Sequence, residues 1–414
     1  MKPIIVAGLL LVCLLTGGCA PGKDFDAHLN SIVKPYRFSI AWWESKAIPH
    51  EVNQWLFGRQ EKIDDEIGMV IEYFTYTERI KTLKTEIEAA NAGDGESDLA
   101  SLEAELNWLQ ERKMALEDTV ARIIEKQIRE VLTKQGIFNP ILEVRVRFPP
   151  VNFKLGKPPY SLVISPRERI ESIREITLKS NLILEEMEDI EARVDKLGVS
   201  SLVVGLGGLA TYPSLVASDS SLRFTINTVT EEWLHQYLVF KPLGFQYLLD
   251  LTGLSRNYEI ATMNETLASM VSKEIGSIVY EKYYSEYENG ANQNQPPESE
   301  FDFNREMREI RRTVDAYLAD GEIELAEEFM EQKQQYLASM GYYIRKLNQA
   351  YFAYHGTYAD RPTSISPIGV ELRKLRVQSA SLKDFLNTVA VMTSRQDLRD
   401  SITADGAVEE PKKR

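Results

Sequence analysis

The sequence predicts a mostly helical α+β fold, and three observations carry the prediction. Long charged stretches place apolar residues three and four apart, the spacing of an amphipathic helix. Shorter runs in the middle of the chain alternate at period two and stop at proline or glycine, as strands do. The 43% apolar content is that of an ordinary globular protein, and 414 residues leave room for two or three structural units at about 150 residues each. A net charge of −14 argues against nucleic acid as a partner, because no basic face is present to neutralise phosphates.

Residues 1–18 read as a signal peptide. Lys2 precedes an apolar run from Pro3 to Leu15, and Thr16-Gly17-Gly18 leads into Cys19 like a lipobox. The run is shorter than the roughly 20 residues that span a bilayer; an uncleaved anchor is the alternative. Cys19 is the expected lipidation site, so Cys13 leaves with the leader and no disulfide forms within the mature chain. The body is then held by lipid at the extracytoplasmic face of a bacterial membrane, with residues 19–60 as tether and N-terminal segment. His28 and His50, among Tyr36, Trp42, Trp43 and Trp55, are expected to pack against the body and not to form a cofactor box.

Residues 61–135 read as a helical hairpin, with arms over 61–90 and 98–135 and a turn at Asn91-Ala92-Gly93-Asp94-Gly95. Leu99, Leu102, Leu106, Leu109, Leu116, Val120 and Ile123 form one stripe. Ile67, Val70, Ile71, Phe74, Leu83 and Ile87 form the facing one. The pair either packs on itself or offers a coiled-coil surface to a protein partner. Gly136 closes it, and a small mixed sheet follows, with strands expected at 141–148, 160–165, 172–179 and from Ser201. A helix over 182–197 ends at Gly198. The glycines at 205, 207 and 208 allow close backbone approach but lack the spacing of a phosphate loop.

Helices are expected over 221–240, stopped at Lys241-Pro242-Leu243-Gly244, and over 257–282. The polar stretch 286–300 reads as a flexible loop. A C-terminal helical region over 301–395 carries helices at 303–319, 322–354 and 381–391. Residues 404–414 are expected to be a disordered tail.

The chemistry-bearing motif is Glu231-Glu232-Trp233-Leu234-His235, followed by Asn264-Glu265. In a zinc-binding HExxH helix, two histidines at i and i+4 share one face and the glutamate between them is the general base. Here Glu231 stands at the first histidine position, with Glu232 as base and His235 in place. Residues 231 and 235 project to one side, and 232 lies about 100 degrees around the helix. Glu265 is placed to supply a third metal ligand from a second helix, where Ala268 and Ser269 permit close packing. Tyr212 is a candidate donor to a reacting oxygen, or else a buried structural tyrosine. His355 is a candidate replacement imidazole, or else a helix-end histidine favoured by the dipole. Serine catalysis and a di-iron site lack their motifs.

The motif pair resembles the gluzincin class of zinc peptidases, in which HExxH on one helix is completed by a glutamate on a later one. With Pro242-Leu243-Gly244 and Glu274-Ile275-Gly276, residues 200–280 also resemble a group of bacterial aminopeptidase-like lipoproteins. The resemblance implies a zincin-type helix pair in a domain over 137–290, zinc as cofactor, and a peptide or protein substrate. Glu231 departs from that pattern. A second anionic ligand lowers the metal's power to acidify water. Three readings therefore stand: a working Glu-His-Glu site, a zincin-like fold without activity that binds a protein partner, or acids on a solvated helix face.

Overall fold

The computed structural model describes residues 23–39, 65–92, 99–141, 148–291 and 301–405. The leader, Cys13, Cys19, His50, the three N-terminal tryptophans, most of the 141–148 strand, residues 292–300 and the tail beyond 405 lie outside the described residues. Among the described residues, no helix is long and apolar enough to cross a membrane. The fold is mostly helical α+β, with thirteen helices and two three-stranded sheets among the described residues.

After α1 (Lys23–Val33), α2 (Glu66–Asn91) and α3 (Leu99–Lys134) form the hairpin. Asp65 caps α2 by accepting from Gly68 N at 2.7 Å. Along the hairpin Val70, Phe74, Ile80 and Leu83 are buried with Leu109, Val120 and Ile124, so the two stripes close on each other. The base of the hairpin goes further and shares one core with Trp233, Leu267 and Phe385.

Two sheets take the place of the one expected. One is mixed: β1 (Phe153–Gly156) runs parallel to β6 (Ser214–Ala217), which pairs antiparallel with the short edge strand β5 (Gly208–Leu209). The other is antiparallel, in the order β3 (Arg174–Leu178), β2 (Tyr160–Pro166), β4 (Val199–Gly205). The helix α4 (Leu184–Asp195) covers the second sheet, burying Ile190 and Val194 with Leu162 and Val203. Gly198, at φ 85°, takes the left-handed conformation that ends the helix.

The central pair is α5 (Leu222–Leu238) and α7 (Tyr258–Ala291), joined by α6 (Pro242–Leu251). Ser221 caps α5 by accepting from Phe224 N. Pro242 was expected only as a stop, but it opens α6 at its first position, where its missing N–H is no loss. The helix α7 runs past its expected end, so residues 286–291 are helical and do not belong to a loop. Tyr284 donates to Gln127 and Tyr283 to Glu130, both at 2.6 Å, and Tyr287 packs on the core. These contacts hold the extra turns against α3.

The C-terminal region contains α8 (Phe303–Ala319), α9 (Ile323–Ser339), α10 (Gln349–Gly356), α11 (Pro367–Gln378), α12 (Leu382–Ala390) and α13 (Arg395–Asp405). The single helix expected over 322–354 is broken at 340–348. Gly341 sits at φ 88° and Tyr342 N donates back to Leu337 O, which closes α9 with a left-handed cap. α13 reaches Asp405, so Ala404 and Asp405, expected in the tail, are helical.

Candidate metal centre

Glu231, His235 and Glu265 come together. Each offers one ligand atom, and the three atoms lie within 4.8 Å of one another. The helical period sets the first two on one face of α5. The third arrives because α5 and α7 pack closely along their length: Ile226, Val229, Met263, Leu267 and Val271 are buried in one cluster, and a Cβ at Gly276 would overlap the Asn227 side chain.

The neighbours of these residues fix their orientation. His235 Nδ1 is 3.1 Å from Asn264 Oδ1. An amide oxygen only accepts, so as that amide is oriented the ring proton lies on Nδ1 and Nε2 presents a lone pair. Nε2 stands 3.7 Å from Glu265 Oε2, which is buried and has no hydrogen-bond partner. The other Glu265 oxygen accepts from Tyr247 of α6, whose ring lies 5.9 Å from the imidazole. Two lone-pair atoms thus face each other in a largely buried site. A buried acceptor without a donor is costly, and a shared cation satisfies both, so the residues present fit zinc or a similar divalent ion.

The electrostatics point the same way. Burial, then the charge of Glu265, pushes the Glu231 carboxyl up to about 8. Burial and the charges of Glu231 and Glu265 raise Glu232 well above the usual carboxylate range. Among the described residues neither glutamate has an ion pair. The nearest cations are engaged: Lys273 pairs with Asp360, and Arg361 donates to His355 while lying over the Tyr358 ring.

Glu232 turns away from the ligand face toward the edge strand. A Cβ on Gly208 would collide with the Glu232 carboxyl and Thr228, so glycine is required there. The segment carrying Tyr212 is fastened to α5 through Gln236, which donates to Thr211 O at 2.6 Å and to Ser214 Oγ at 2.9 Å; Tyr212 itself is half-buried. The tyrosine hydroxyl that meets the ligands is that of Tyr247. Tyr354 and Tyr358 also face the cluster: burial raises both phenols, with further contributions from Glu265 and Glu231. Tyr354 and Tyr358 stand four apart beside His355, a spacing the sequence displays; Tyr247 carries no such signal.

His355 does not join the three ligands. It lines a separate cavity, and burial followed by Arg361 holds its ring down at about 4. The imidazole is therefore neutral, which removes the reading of a cation favoured by the helix dipole. His28 is exposed on α1 and makes a local contact with Asp24 O at 2.7 Å.

No protein-family model, curated protein or solved structure matches the chain.

Proposed function

We propose that the protein is a zinc-dependent peptide hydrolase of gluzincin type, held at the outer face of a bacterial membrane by lipid on Cys19. Glu231, His235 and Glu265 hold the metal, and Glu232 is the general base. The observation that carries this reading is the buried Glu265 oxygen without a donor, facing His235 Nε2 at 3.7 Å. Bound zinc supplies a Lewis acid for water and for a substrate carbonyl. Asn264 holds the His235 tautomer and Tyr247 holds the Glu265 carboxylate. Burial and the charges of Glu231 and Glu265 raise the Glu232 carboxyl, and a divalent charge held beside it would act in the opposite direction, toward the ionised form a base needs. Among the described residues β5 is an edge strand with Gly208 against the Glu232 carboxyl, and a peptide backbone can align there.

A second reading keeps the cation and drops the chemistry. Two carboxylates on one ion weaken its Lewis acidity, and Trp108 and Met114 stand exposed on the hairpin at 50% and 69%, as a protein-binding surface does.

Metal content tests the first reading. Elemental mass spectrometry of the zinc-loaded chain is expected to find about one zinc per chain, lost in His235→Ala and Glu265→Gln. Absence of metal from the loaded wild-type chain sinks it. Retention of zinc in Glu232→Gln with loss of peptide hydrolysis separates catalysis from a purely structural ion.

A further inference from the structure

A cavity of about 270 Å³ opens beside α10. Tyr258 at the start of α7, Met307 and Arg311 of α8, Phe352 and His355 of α10, and the 363–367 loop form its walls. Its lining includes Arg311, His355 and the Asp315 carboxylate that pairs with Arg311. Arg361 Nη1 donates to His355 Nδ1 at 3.0 Å. A guanidinium cannot accept, so the neutral ring carries its proton on Nε2, which makes no hydrogen bond among the described residues. Arg311 directs Nε to Asp315 at 3.0 Å and Nη1 to the Phe352 carbonyl at 3.3 Å. Its Nη2 has no hydrogen-bond partner among the described residues.

The rest of the wall is apolar or aromatic. Met307 is buried, Phe352 lies 5.7 Å under the Arg311 guanidinium, and Tyr258 has its hydroxyl turned to Ala353 O. Gly356 sets the floor, because a Cβ there would come within 2.7 Å of that hydroxyl. We propose that this cavity binds a small organic carboxylate with an apolar body, its carboxylate taken by Arg311 and His355 and its body laid against Met307 and Phe352. Asp315 orients Arg311 and offsets its charge before the ligand arrives. The site is separate from the Glu231 cluster, and the inference does not depend on the metal reading.

Phenylacetate is the probe, titrated into the full chain by calorimetry. It is expected to bind saturably with a Kd of about 0.1–1 mM, and the neutral 2-phenylethanol about tenfold more weakly. Arg311→Gln should weaken phenylacetate about tenfold. Asp315→Asn should strengthen it several-fold by freeing the Arg311 charge, a change of sign that structural damage does not produce. Thr363→Trp, on the rim loop, should block binding with an unchanged melting profile, and it stands in if Arg311→Gln fails to fold. Any one of four results overturns the proposal: no saturable binding to the wild-type chain, equal binding of 2-phenylethanol, binding of inorganic phosphate in place of phenylacetate, or full affinity in Thr363→Trp.

Discussion

Glu191 and Asp195 of α4 and Glu231, Glu232 and Glu265 of α5 and α7 are both groups of buried or half-buried carboxylates, and the protein treats them in opposite ways. Glu191 is buried and accepts from Val203 N at 2.6 Å and from Arg345 Nη1 at 2.9 Å. Asp195 accepts from Ser201 N at 2.8 Å and from Lys346 at 2.8 Å. Each has a cation supplied by residues 345–346, in the break after α9. The Glu231 group has one imidazole, a tyrosine and an unpartnered oxygen. Glu191 and Asp195 have their counter-charge from the protein itself, and among the described residues Glu231 and Glu232 have no such ion pair.

Removing a charge from each cluster gives the largest contrast. Arg345→Met leaves Glu191 buried without its main partner and should cost about 3–5 kcal/mol in urea unfolding. Glu265→Gln in metal-free protein relieves repulsion and should change stability by less than about 1 kcal/mol. Similar losses in both would erase the distinction.

The pH dependence of stability sharpens it. With Glu231 at about 8 in the folded metal-free chain and about 4.3 when unfolded, the folded state holds a proton that the unfolded state has lost. Stability from this residue is full below about 4.3 and declines as pH rises to about 8, by at most about 5 kcal/mol. His355, at about 4 folded and about 6.5 unfolded, works in the other direction: its contribution is full above about 6.5 and is lost as pH falls toward 4. The difference between wild type and Glu231→Gln across a pH series of melts isolates the first effect. Saturating zinc should reverse the sign of that difference, since the metal displaces the proton and stabilises the wild type at higher pH while Glu231→Gln lacks the ligand.

The smallest effect belongs to Tyr247. Tyr247→Phe removes the donor to Glu265 and should weaken zinc about tenfold in competition with a chelator, with the fold intact. Unchanged affinity would mean that the phenol is only packing.

Much of the fold was legible. Helix periodicity predicted the hairpin and the ligand-bearing pair, and the stops at Gly198 and at 241–244 predicted boundaries near those observed. The short strands β1 and β6 passed unnoticed because four residues give no period, and α6, α11 and α13 because their apolar faces are brief. The break after α9 was missed since glycine at 341 is tolerated within a helical pattern until its neighbours decide otherwise.

For the site, sequence alone determined that Glu231 and His235 share a face, because a spacing of four residues on a helix fixes direction whatever surrounds it. It also supplied Glu265 as a candidate. Tertiary structure decided that Glu265 meets His235, that Tyr247 reaches Glu265, that Glu232 turns to Gly208, and that His355 belongs to another cavity. Those outcomes rest on how separate elements pack in three dimensions, and side-chain packing between elements leaves no period in the chain that encodes it.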